Sequence, residues 1–194
     1  PGGGSVMSSR WRAAWAAGST RGRWSAGLSP PDASVIRANC SCRQAHSRSY
    51  KARRRTSASV SVRLAGTLIE TDRLDAALEE VERINNGDAI TFFEVTTVTA
   101  FKLFAETPAD YLLLETGMGG TYDTTNVVKH PLGTIITPVD YDHQGFLGDT
   151  LAEIASNKAG ILKRGAKAVM GIQHDEARAV LERVAHRLGV RPLW

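Results

Sequence analysis

The stretch Leu112-Leu113-Leu114-Glu115-Thr116-Gly117-Met118-Gly119-Gly120, followed by Asp123-Thr124-Thr125-Asn126, decides the fold. Three leucines make a short apolar run, which reads as a buried strand ending on a carboxylate. The glycines after it free the backbone to turn sharply or to approach a ligand. In open α/β sheets ligands sit beyond the carboxyl ends of the strands, which is where Glu115 would lie. The combination points to an enzyme that handles nucleotides, or a piece of one.

Outward from this point, residues 62–194 are regular. Val62-Arg63-Leu64 and Thr67-Leu68-Ile69 flank Ala65-Gly66 as a short hairpin. Thr71 is placed as the N-cap of a helix whose stripe is Leu74, Leu78, Val81 and Ile84, stopped at Asn86-Gly87. Thr91-Phe92-Phe93-Glu94 and Thr150-Leu151-Ala152-Glu153 have the spacing of capping boxes, opening helices to about Ala105 and Leu162. Strands are expected at Tyr111–Leu114, Gly133–Thr137, Ala166–Ile172 and Val190–Leu193, with a helix over Glu176–Leu188 stopped by Gly189. Strands alternating with helices imply an α/β fold, a doubly wound and mostly parallel sheet.

Residues 1–61 are written differently. They hold eleven Lys/Arg and one acid, a net +10, whereas the other 133 residues hold thirteen basic and nineteen acidic side chains, a net −6. The basic character of the chain therefore says nothing about the partners of its regular part. Residues 1–61 show no sustained apolar period and are expected to be an irregular, disordered basic segment. Three origins compete: a transit-type leader, a basic binding arm, and translation in a wrong reading frame of GC-rich codons, with the last preferred. Cys40 and Cys42, without further Cys or a paired His, have poor zinc spacing and form no disulfide framework. No apolar run approaches the ~18 residues of a membrane span. Neither nucleic acid nor a membrane is expected as a partner, and a monomer is favoured.

Three side chains could carry chemistry at loop ends: Glu115, His143 in Asp142-His143-Gln144, and Lys158 in Asn157-Lys158-Ala159-Gly160. A carboxylate, an imidazole and a lysine near strand ends suit metal-assisted phosphate chemistry, and Mg²⁺ needs few protein ligands because it keeps several waters. Each has a plainer structural reading too. His143 could be a hydrogen-bonded loop histidine, Lys158 a solvated helix lysine, and Glu94 simply the acid of its capping box.

The order of four motifs adds to this. Thr91-Phe92-Phe93-Glu94-Val95-Thr96-Thr97, then Leu114 to Gly120 with Asp123-Thr124-Thr125-Asn126, then Asp142-His143-Gln144 with Leu147-Gly148-Asp149-Thr150, then Lys158-Ala159-Gly160-Ile161-Leu162-Lys163, resembles the folylpolyglutamate synthase/dihydrofolate synthase family of the Mur ligase superfamily. The resemblance covers residues 62–194, which it marks as part of a Mur-ligase-type ATP-binding central domain. It implies an ATP-dependent amide ligase. ATP phosphorylates the carboxylate of dihydropteroate or of a folate, and the amino group of L-glutamate attacks the acyl phosphate. It implies Mg²⁺ on Glu115 and His143, with His143 and a carbamylated Lys158 as the catalytic pair. An uncarbamylated lysine there would repel metal and phosphate by roughly several kcal/mol. By the same resemblance Phe93, Glu94 and Thr96 line the substrate side, while Gly117, Gly119 and Asn126 lie along the cofactor.

The departures are specific. The family's phosphate loop, of the form Gly-Thr-x-Gly-Lys-Gly-Ser, is not readable, and Gly2-Gly3-Gly4-Ser5 carries Gly3 in the place of its lysine. Its Thr-Ser-Pro-His-Leu motif is absent, although a shifted frame at residues 53–57 can spell it. Thr121 stands where an arginine is common, and Asn157 where a glutamate usually precedes the lysine. Trp194 falls before the rest of the family's central domain and its C-terminal domain, so this stretch by itself is expected to be inactive. The alternatives are a noncatalytic α/β nucleotide-binding module and another Mur-type ligase; Phe93-Glu94 and Asp142-His143-Gln144 argue for folate.

Overall fold

The computed structural model describes residues 35–38, 62–64 and 67–194. The Gly2–Ser5 segment, the Cys40/Cys42 pair and residues 53–57 lie outside the described residues, as does most of the segment expected to be irregular. The chain divides into two compact units, one ending at Glu115 and the other running from Thr116 to Trp194. No helix among the described residues is long and apolar enough to cross a membrane.

In the first unit, β1 (Val35–Ala38) lies parallel to β4 (Tyr111–Leu114), with Val35 opposite Tyr111 and Ala38 opposite Leu114. This strand lies inside the stretch that shows no period in the sequence; four residues are too few to display one. The expected hairpin forms from β2 (Arg63–Leu64) and β3 (Thr67–Leu68), extended by a hydrogen bond from Ile69 N to Val62 O.

Helix α1 (Thr71–Asn85) starts one residue earlier than Thr71 capping would require. Glu70 is the N-cap, in extended conformation and without a side-chain cap, and Thr71 is already helical. At the other end Asn86 adopts the left-handed conformation (φ 51°) and its N–H reaches Glu82 O, the stop expected from Asn86-Gly87. Leu78 and Val81 pack on Val95 and Val98 of α2 (Phe92–Ala105), with Leu74, Ile84 and Ile90 at the margin. Helix α2 is buried along almost its whole length, which its run of threonines would ordinarily disfavour. Their hydroxyls resolve the conflict: Thr96 Oγ1 donates to Phe93 O (3.0 Å) and Thr99 Oγ1 to Val95 O (2.8 Å).

The second unit is a small α/β layer. Strands β5 (Gly133–Ile136), β6 (Lys167–Met170) and β7 (Pro192–Leu193) form a parallel sheet in that order. Between β5 and β6 run α3 (Gln144–Leu147), α4 (Leu151–Lys158) and a 3₁₀ turn, Ala159–Ile161; α5 (Asp175–Leu188) joins β6 to β7. Alternation along the strands decides the faces. Ile136, Ala168 and Met170 turn into a core with Ile154 of α4 and Ala177 and Leu181 of α5. Ile135, Val169 and Leu193, which are register partners, stay exposed on the opposite face. Gly189 ends α5 in the left-handed conformation (φ 67°), as its position in the sequence requires. The α/β class and the parallel sheet are thus those read from the alternation of elements. The helix expected to run to Leu162 gives way at Lys158 to the 3₁₀ turn.

Candidate functional site

The glycine loop after β4 is organised by one carboxylate. Asp123 Oδ2 accepts from the backbone N–H of Gly117 (3.1 Å) and Met118 (2.9 Å). Its Oδ1 accepts from Thr125 N (2.9 Å) and Thr125 Oγ1 (2.5 Å). Gly119, at φ +69°, supplies the left-handed turn between these partners.

The closed loop is seated on the end of α4. Thr121 donates to Asn157 O through both its N–H and its hydroxyl, each at 3.0 Å. Asn126 Nδ2 donates to Thr121 O (3.3 Å) and to Gly160 O (3.1 Å). Lys163 Nζ also donates to Gly160 O, at 3.2 Å. These donors satisfy carbonyls that a helix terminus leaves without partners. The seam is too tight for side chains: a Cβ on Gly120 would lie 2.8 Å from Asn157 O, and one on Gly160 2.1 Å from Thr121 Oγ1. The two positions at which this part of the chain departs from the family pattern, Thr121 and Asn157, therefore meet, Thr121 donating to the backbone carbonyl of Asn157.

Lys158 is the last residue of α4, with loop contacts on either side of it at Asn157 and Gly160. Its side chain is half-buried and makes no hydrogen bond or ion pair with the described residues. Burial pushes the neighbouring Lys163 ammonium below its usual range.

His143 precedes α3 in the left-handed conformation, φ 48°. Asn86 is the other non-glycine residue with positive φ among the described residues, and it caps a helix C-terminus, where that conformation is ordinary. His143 has no such excuse; holding a histidine there costs roughly 1–2 kcal/mol, a strain found disproportionately at functional sites. Its carbonyl accepts from Phe146 N (2.8 Å) and Leu147 N (3.0 Å), and its Nε2 lies 3.6 Å from Asp142 Oδ2. Leu147, at the far end of α3, closes against Gly119, where an added Cβ would sit 2.8 Å from Leu147 Cδ2. The turn carrying His143 and the glycine loop are thus neighbours through Leu147. Beyond α3, Gly148 (φ +117°) leaves room for the Glu153 side chain to complete the Thr150 capping box.

Of the residues singled out in the sequence, the fold gathers Gly117, Gly119, Asn126 and Lys158 at one end of α4, with His143 one short helix away. Glu115 follows β4 as an exposed carboxylate with no hydrogen-bond or ion-pair partner among the described residues. As a hard oxygen donor it fits Mg²⁺, which is held by one or two carboxylates while the rest of its shell is water and phosphate. Among the described residues no three His, Cys, Asp or Glu side chains are grouped to hold a metal by themselves. Phe93, Glu94 and Thr96 lie in the first turns of α2, in the other unit. Phe93 is half-exposed, Thr96 is buried, and the Glu94 carboxylate accepts from Thr91 N (2.7 Å) and Thr91 Oγ1 (2.6 Å). Asp123 is the residue whose place was not assigned from the sequence; the Asp-x-Thr pattern of a side-chain turn was the available signal. Gln173 is another, bridging the loops beyond two strands by accepting from Val139 N (2.8 Å) and donating to Thr137 O (3.0 Å).

No family model matches the chain. Over 98 residues it is 46% identical to the dihydrofolate synthase/folylpolyglutamate synthase of Bacillus subtilis, a match covering 50% of this chain and 23% of that protein. Over 95 residues it is 46% identical to the folylpolyglutamate synthase of Arabidopsis thaliana, covering 49% of this chain and 17% of the relative. The solved structure of Mycobacterium tuberculosis folylpolyglutamate synthase complexed with ADP is similar with a TM-score of 0.64 and 27% identity, over 95% of this chain and 38% of that one. The chain thus spans about a fifth of the length of the curated relatives it matches. Its fold is of the Mur-ligase type. Within that class its relatives are the folylpolyglutamate and dihydrofolate synthases, as the order of its motifs implies.

Proposed function

We propose that this chain is a portion of an ATP-dependent ligase that joins L-glutamate to dihydropteroate or to a folate through an acyl phosphate. The observation that carries the reading is the seating of the glycine loop on the end of α4, with Gly120 packed on the Lys158 backbone and Asn126 donating to Gly160 O, in a chain related to such ligases. ATP and Mg²⁺ are the implied cofactors. Bound Mg²⁺ would neutralise charge on the transferring phosphate. Glu115 offers it an unengaged carboxylate oxygen and His143 an imidazole. Lys158, with no acidic partner, is available for carbamylation, which replaces a cation that would repel phosphate by an anionic group. Phe93 offers a half-exposed ring for a flat pterin, while Glu94 and Thr96 shape the same helix start. The reading places the protein in the cytoplasm, acting as a monomer without nucleic acid or membrane.

Support for this reading would come from a chimera. The segment of the Bacillus subtilis relative that matches this chain is replaced by the corresponding residues, and ADP release dependent on glutamate and dihydropteroate is measured. Retained ligation that disappears on Lys158→Met and His143→Ala is expected. A folded chimera that binds ATP and ligates nothing would overturn the proposal in favour of a noncatalytic nucleotide-binding module. The 194-residue chain alone is expected to bind Mg·ATP weakly or not at all by calorimetry, and sub-micromolar affinity would contradict that.

A further inference from the structure

A glycine-rich loop with consecutive N–H groups aimed at a carboxylate is, in chemical terms, an anion-binding nest whose anion is already supplied. Gly117 N and Met118 N both point at Asp123 Oδ2, and Thr125 closes the other oxygen through two further donors. A carboxylate tethered five and six residues from the amides it occupies competes with a dissolved phosphate at a very high effective concentration. The loop is therefore poorly placed to receive phosphate. Its remaining donors point elsewhere: Thr121 N and Oγ1 to Asn157 O, and Asn126 Nδ2 to Gly160 O, bracketing Lys158. The close packing of Gly120 and Gly160 leaves this bracket no slack.

We infer that Asp123 is a positioning residue: by closing the Gly117–Asn126 loop on itself, its carboxylate turns the loop into a clasp that fixes the backbone on both sides of Lys158. The loop acts on the reaction through Lys158 and makes no phosphate contact through Gly117 or Met118. The inference deepens the proposed function, since the importance of Lys158 rests on that reading. The clasp itself rests on the hydrogen bonds above.

The test uses the full 194-residue chain, labelled with ¹⁵N, as wild type, Asp123→Ala and Asp123→Asn. In Asp123→Ala, hydrogen exchange at Gly117, Met118 and Thr125 is expected to quicken, and at Thr121, which Asp123 does not touch, by about tenfold or more. Under ¹³C-bicarbonate, the carbamate resonance assigned to Lys158 is expected in wild type and lost in Asp123→Ala. Added formate, a free carboxylate that fits the emptied nest, is expected to restore both signals; a merely destabilised loop would not respond. Asp123→Asn, which keeps an acceptor oxygen, should fall between. Inorganic phosphate alone should leave the Gly117 and Met118 amide resonances of wild type unmoved. Saturable phosphate shifts at those amides, or Thr121 exchange unchanged in both variants, would overturn the clasp. A wild type without any carbamate would count against the proposed role of Lys158, while Thr121 exchange and its formate rescue would still decide the clasp.

Discussion

Among the described residues the same capping box occurs twice, and the two copies differ in what surrounds them. At the head of α2, Glu94 Oε2 accepts from Thr91 N and Thr91 Oγ1 with the side chain almost wholly buried, 6% exposed. At the head of α4, Glu153 Oε2 accepts from Thr150 N (3.0 Å), Thr150 Oγ1 (3.0 Å) and Asp149 N (2.9 Å), in open solvent. The two boxes differ in what is lost with the acid: at α2 a buried side chain, at α4 one that water already surrounds. Water can replace a lost acceptor only where it can reach: at α4 the carboxylate and its donors are all open to solvent, whereas at α2 the carboxylate is buried and only its Thr91 partner is exposed. Burial of the acid is therefore what should separate the two boxes.

The comparison is broken most sharply by removing the acids. Glu94→Ala is expected to cost about 3 kcal/mol, because a buried side chain is truncated and its hydrogen bonds to Thr91 are lost with it. Glu153→Ala should shift the urea midpoint distinctly less. Equal losses would mean that burial does not separate the boxes. Gly148→Ala comes next, at about 2 kcal/mol: the residue would carry a side chain at φ +117°, with its Cβ 2.5 Å from Glu153 Cβ. Gly145→Ala, in α3 with nothing within 4 Å, is the control and should be neutral or stabilising by about 0.5 kcal/mol. Thr91→Ala and Thr150→Ala should each cost about 1 kcal/mol, read locally as faster amide exchange at Glu94 and Glu153.

Both boxes were visible in the sequence, as were the left-handed stops at Asn86 and Gly189, because each is written within a few adjacent residues. Burial was not visible, and neither was anything set by distant pairing. Thr121 meets Asn157, and Asn126 meets Gly160, across more than thirty residues, so only the folded chain shows that the departures at Thr121 and Asn157 belong to one seam. Glu70 takes the cap position at α1 because the chain is already extended there, a backbone fact that the preference for Thr cannot report. Helix α3 has four residues, too few for a period, so the strain at His143 had no local signal. Of the site, the residue types and their order were legible; the clasp that arranges Lys158 was not.

The smallest effect isolates the exposed box by its charge. The Glu153 carboxyl is held below its ordinary value of 4.5 chiefly by the Thr150 hydroxyl, then by the N–H groups of Thr150 and Asp149, against a minor opposing effect of desolvation. Because the folded pKa lies below the unfolded one, the unfolded chain binds more protons between them. Stability from this group is complete above the unfolded value and is lost as pH falls through the folded one. The protection of amides across α4, taken relative to the intrinsic exchange rate at each pH, should accordingly fall on acidification below about pH 4.5, in wild type more steeply than in Glu153→Gln, whose cap does not titrate. Thr150→Ala, lacking the hydroxyl that contributes most, should raise the Glu153 midpoint in a carboxyl ¹³C titration. An unchanged midpoint would show that the backbone donors alone hold the carboxylate, and that the Thr of this box serves the helix only by accepting from Glu153 N.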